Sequence, residues 1–162
     1  MVPHGGGEHW RRRWRSWPIR SRQIAMTAVF DTALVIDYLR GVRKALEAFG
    51  QFPDRAITVG TWVEIMSEAP TRLEPQTREF LRGFERLAIN EAIADRALAL
   101  MQQHERLSIQ QALAWATAQI NNSVYVTVDF PRLTAPDPTV YVPYSRADRK
   151  AAAINSSGGA AR

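Results

Sequence analysis

The sequence predicts an α/β domain with a parallel central sheet, helices packed against it and a strand at its edge. Two observations carry that expectation. Short apolar segments of β-branched character alternate with stretches of helical periodicity through the middle of the chain, the pattern of strands joined by crossover helices. The 162 residues suffice for one ordinary domain with its own core and are too few for two.

Ala28-Val29-Phe30 reads as the first buried strand. Ala33 to Leu39 begins a helix that Gly41 interrupts, and a second helical stretch from Val42 to Phe49 ends at Gly50, a residue type favoured there. Ala56-Ile57-Thr58-Val59 is the second strand; Thr61 is a candidate cap for the helix that follows, and Pro70 ends that helix. Glu74 to Leu87 is amphipathic and reads as helix, followed by a short extended Leu87-Ala88-Ile89. From Glu91 to about Glu105 a further helix sets Ile93, Ala97, Leu100, Met101 and His104 on one face. Ser108 is placed to cap the next helix, whose stripe is Ile109, Ala112, Leu113, Ala116 and Ile120. Val124-Tyr125-Val126-Thr127 is a strand, and Thr139-Val140-Tyr141-Val142 is expected at the sheet edge.

The two ends differ in kind. Residues 1–25, rich in Gly, Arg and Trp, hold no sustained period and are expected to be a flexible basic extension upstream of a start at Met26. Residues 26–144 are the expected domain, and 145–162 are too polar and small-sided to pack. Six arginines against Glu8 in the first 25 residues account for the whole formal charge of +5. Residues 26–145 carry 11 basic against 14 acidic side chains, a net −3, so the basic balance does not by itself argue for a polyanionic partner. Cysteine is absent, which excludes disulfides, zinc thiolate sites and thiol nucleophiles and fits a reducing cytoplasm. No apolar run approaches the ~20 residues that span a bilayer, and no secretory signal pattern opens the chain.

The acids follow the strands. In a parallel sheet the strands' carboxyl ends share one edge, where ligands bind. Asp31 directly follows the first strand, Glu64 lies in the first turn after the second, and Asp129 follows the strand ending at Thr127. Gln111 belongs to the first turn of the helix that feeds that strand, so it is expected at the same edge. Carboxylates packed together repel and raise one another's pKa unless a divalent cation compensates them, and Mg2+ or Mn2+ is the natural occupant of an all-oxygen site. A lone Asp after a strand is more often a helix cap than a ligand; three acids at equivalent strand ends argue for the ligand role.

These residues resemble the PIN-domain family of the VapC type. Phe30 to Gly41 (FDTALVIDYLRG) is similar to the family's opening, Thr61-Trp62-Val63-Glu64 to its second acidic motif, Leu107 to Ala118 (LSIQQALAWATA) to its third and Val126-Thr127-Val128-Asp129-Phe130 to its fourth, in order over about Met26 to Val142. The resemblance implies a three-layer α/β/α fold and a magnesium-dependent endoribonuclease, the toxin of a toxin–antitoxin module. Its partners would be an RNA substrate, a tightly bound antitoxin and a second copy of itself. It further implies Asp31, Glu64 and Asp129 as metal ligands and catalytic acids, with Thr127 as a hydroxyl donor beside the metal. Where the third motif normally presents Asp, this chain has Gln111, whose amide oxygen can ligate a metal but brings no charge. The alternative is therefore a degenerate domain that keeps the fold and antitoxin or RNA binding with little nuclease activity.

Haloacid-dehalogenase-like and receiver domains also place an Asp after the first strand, but both need a downstream lysine near the active edge. Lys44, early in a helix pair, and Lys150, in the tail, suit neither, and Ala33 stands where the former needs its second Asp. Asp37 reads as a solvated or ion-paired helix position, His104 as a packed core residue, and Trp62 and Trp115 as core packing.

Overall fold

The computed structural model describes residues 26–131 and 137–145. In chain order their elements are β1 (Ala28–Phe30), α1 (Thr32–Leu39), α2 (Arg43–Gln51), β2 (Arg55–Thr58), α3 (Val59–Glu68), a 3-10 turn (Thr71–Leu73), α4 (Glu74–Leu81), β3 (Glu85–Leu87), α5 (Glu91–Gln103), α6 (Ile109–Ile120), β4 (Val124–Val126) and β5 (Val140–Tyr141). The strands form one sheet in the order β3-β2-β1-β4-β5, and every neighbouring pair is parallel. The basic extension and the tail anticipated from composition lie outside the described residues.

Strand alternation divides the core in two. Ala28 and Phe30 of β1, Ile57 of β2 and Val124 and Val126 of β4 face one layer, where they meet Leu34, Val35, Ala45, Phe49, Ile65 and Leu81 of α1 to α4. Val29, Ala56 and Tyr125 point the opposite way, onto Ile93, Ala97 and Leu100 of α5 and Ala112, Trp115 and Ala116 of α6. The first layer is knitted by rings: Phe30 lies 4.4 Å from Phe49 and meets Phe52 and Phe84 edge-on at 6.1 Å. The turn between α1 and α2 needs a left-handed residue, and Gly41 at φ +78° supplies it.

Three local expectations are corrected. The cap of α3 is Thr58, whose hydroxyl accepts from the Thr61 amide, so Thr61 lies inside the helix; β2 runs into α3 without a linker. The helix expected over Glu74 to Leu87 stops at Leu81, and Glu85–Leu87 is the strand β3, paired parallel with β2 at the sheet edge. Of the two alternatives for Asp37, solvated or ion-paired, the first is overturned: it is buried, and the Tyr144 hydroxyl donates to its Oδ2 at 2.8 Å. His104 packs on Trp115 with ring centroids 5.2 Å apart, while Trp62 is half-buried beneath the guanidiniums of Arg78 and Arg86.

Candidate acidic site at the sheet switch point

From β1 the chain proceeds outward through β2 to β3, then crosses back so that β4 and β5 lie on β1's other side. The carboxyl ends of β1 and β4 therefore flank the point where strand order reverses, the usual place for a crevice in such sheets. Asp31 leaves β1 at this point, its amide donating to the Val126 carbonyl at 3.1 Å, and Thr127 and Asp129 leave β4 beside it.

Asp31 does two jobs with its two oxygens. Oδ1 accepts from the Leu34 amide at 2.8 Å, which makes Asp31 the N-cap of α1; Oδ2 accepts from the hydroxyl of Thr127. The residue is only 8% exposed. Burial is the largest influence on it and Asp129 adds like-charge repulsion, so that, against hydrogen bonds from Thr127, Leu34 and Val128, its pKa is pushed from 3.8 to about 6. Glu64, on the second turn of α3, is drawn toward the same crevice by Thr32, whose hydroxyl donates to Oε2 at 2.5 Å. Thr127 is fully buried, and besides donating to Asp31 its oxygen accepts a long 3.4 Å bond from the Asp129 amide.

The structure places Gln111, expected as a metal ligand, in the first turn of α6. Its Oε1 accepts from the Ser108 amide at 3.0 Å while the Ser108 hydroxyl accepts from the Gln111 amide, a reciprocal capping box that starts α6. Its Nε2 donates to the Asp129 carbonyl. The oxygen that was expected to reach a metal is turned onto the helix cap, and the group facing the fourth motif is a hydrogen-bond donor. Gln111 is a tie between α6 and the loop after β4.

Among the described residues no three carboxylate or imidazole side chains stand close enough together to cage an ion. The acids here are Asp31 with Asp129 as its neighbour, and Glu64 bonded to the Thr32 hydroxyl. That spacing is what mutual repulsion and the available hydroxyls favour. Two participants escaped the sequence reading. Thr32 follows Asp31 directly and tethers Glu64 across 32 positions; no local pattern signals this. Tyr125, read only as a strand residue, is fully buried, and its phenol oxygen has no hydrogen-bond partner among the described residues.

No protein-family model matches the chain, and no curated protein does. Solved structures do. A toxin–antitoxin complex from Klebsiella pneumoniae contains a chain 35% identical to this one, with a TM-score of 0.67, over 73% of this chain and 98% of that one. This chain belongs to the VapC-type PIN-domain family. VapBC2 from Rickettsia felis, solved bound to a promoter DNA fragment, matches this PIN domain at 13% identity and TM-score 0.56 over 74% of this chain and 98% of that chain. FitAcB from Neisseria gonorrhoeae matches at 16% and 0.54 over 63% and 87%. At such identities the last two show the fold alone, and it is the α/β fold with a parallel five-stranded sheet described above. No helix among the described residues of this PIN domain is long and apolar enough to cross a membrane.

Proposed function

We propose that this PIN domain is a magnesium- or manganese-dependent endoribonuclease, the toxin of a toxin–antitoxin module, working in the cytoplasm. The observation that carries the reading is the placement of Asp31 and Asp129 as neighbours at the switch point, with Glu64 one hydroxyl away on Thr32. The donor set is all oxygen, which suits a hard divalent cation, and the buried Asp31 carboxylate is short of compensating charge. Asp31, Asp129 and Glu64 would hold the ion, with Glu64 exchanging its bond to Thr32 for it. When bound, such a cation makes water a better nucleophile and draws charge from a phosphodiester. The chain's own contribution is orientation. Thr127 and the Leu34 amide fix the two Asp31 oxygens, and Gln111 holds the backbone that carries Asp129.

Single-stranded RNA incubated with the full-length protein in Mg2+, Mn2+ or EDTA tests this. Cleavage should require the cation and should be lost in Asp31→Asn. RNA left intact under every divalent ion would overturn the nuclease reading. One observation favours the second reading, a domain retaining the fold and its partners with little activity: Gln111 spends its oxygen on the cap of α6 and leaves the site one charge short. The likeness to a chain of a toxin–antitoxin complex supports an antitoxin as partner, and self-association into a homodimer belongs to the same proposal. Copurification with the product of a neighbouring gene and sizing chromatography check both.

A further inference from the structure

Tyr125 is out of place in a core strand. It is fully buried in the middle of β4, its ring packed on Phe130 at 5.9 Å, and a Phe would fill the same space without burying a hydroxyl. A buried donor left unmade is costly, so the hydroxyl calls for a partner. Strand geometry says where it points. Tyr125 and Thr127 are two apart and share a face, and a tyrosine leaning along the strand covers the ~7 Å between them. Its surroundings agree: the Thr127 hydroxyl is within interaction range, and the carboxylates of Asp31, Asp129 and Glu64 act on it electrostatically.

Thr127 has room for it. Its proton goes to Asp31 Oδ2, one lone pair receives the long bond from the Asp129 amide, and a second lone pair remains. We propose that Tyr125 is a positioning residue whose hydroxyl closes onto Thr127 Oγ1 when the acids take up a divalent cation, fixing the Thr127 proton on Asp31. The proposal rests on the metal-dependent reading above. A donor into Thr127 keeps that hydroxyl from turning round, so the chain Tyr125 to Thr127 to Asp31 runs in one direction and each bond strengthens the next.

Calorimetric titration of Mn2+ into the full-length protein, Tyr125→Phe, Thr127→Val and the double variant tests it, with thermal melts of each in EDTA. Tyr125→Phe should melt at or above the wild-type temperature without metal, because an unpartnered hydroxyl has been removed. Its Mn2+ affinity should fall about threefold to tenfold, the range one net hydrogen bond carries. In the Thr127→Val background Tyr125→Phe should change nothing further. Wild-type affinity in Tyr125→Phe would overturn the proposal and leave the metal reading standing. So would an equal loss in the Thr127→Val background, or a lowered melting temperature in EDTA that marks an ordinary structural bond. Absence of Mn2+ binding by the wild-type protein would remove both.

Discussion

Asp31→Asn should make the metal-free protein more stable at neutral pH, and the structure sets the size of the gain. Unfolded, Asp31 ionises at the ordinary 3.8; folded, burial and Asp129 raise this to about 6. The native state therefore binds the proton more tightly than the unfolded chain, and stability falls as pH rises between those values. Below about pH 4 the carboxyl is protonated in both states and the penalty is nearly absent; above pH 6 it levels off at about 3 kcal/mol, two units at ~1.4 kcal/mol each. Asn is as good a cap as Asp, so the bond from the Leu34 amide survives. One acceptor is lost, at about 1 kcal/mol. The net expectation in EDTA is that Asp31→Asn is about 2 kcal/mol more stable than wild type at pH 7.5 and no more stable at pH 4. Urea denaturation of both proteins at the two pH values measures it, and the difference between them cancels the titrating groups that do not interact with Asp31. A wild-type-minus-variant difference independent of pH would show that Asp31 is not held in the desolvated state the geometry implies. Manganese should reverse the order at pH 7.5, since only the wild type gains the ion's full binding energy.

Three further outcomes follow from particular contacts. Gln111→Asp loses the cap bond to Ser108 and the bond to the Asp129 carbonyl but restores a charge in the first turn of α6, so Mn2+ affinity and any RNA cleavage should rise about tenfold, ~1.4 kcal/mol; unchanged titration and cleavage rates would place the metal elsewhere. Tyr144→Phe removes a buried bond to the Asp37 carboxylate and should cost about 1–3 kcal/mol in urea melts, with Mn2+ affinity within about twofold of wild type. Deleting residues 1–25 should leave the melting temperature within about 2 °C and the Mn2+ affinity intact, because none of the described strands and none of the site acids is removed; a loss of several degrees would make that segment part of the fold.

What was legible in the sequence is what chain-local physics controls. The apolar runs Ala28–Phe30 and Val124–Val126 declared buried strands, and acids directly after strands declared the edge where Asp31 and Asp129 meet. Glu85–Leu87 was not legible, because a charged edge strand lacks apolar alternation and continues the amphipathic pattern of α4. Thr58 and Thr61 are equally good caps on paper, and only the abrupt passage from β2 to α3 selects the former. The Asp37–Tyr144 bond spans 107 positions and leaves no local trace. Gln111 is a different case. Ser108 followed three residues later by Gln is the pattern of a capping box, and attending to it would have shown the amide oxygen bonded at the helix start.

The bond between Thr127 and Asp31 joins residues 96 positions apart, across a strand pair that can close only after β2 and β3 have been made. Until β4 has left the ribosome and slid in beside β1, the nascent chain can build α1 through α6 but holds only half of the acidic crevice. Closing so long a loop is also the slow part of forming a parallel sheet. A protein proposed to cut RNA thus cannot assemble its cutting edge until Thr127 and Asp129 have been made, long after Asp31.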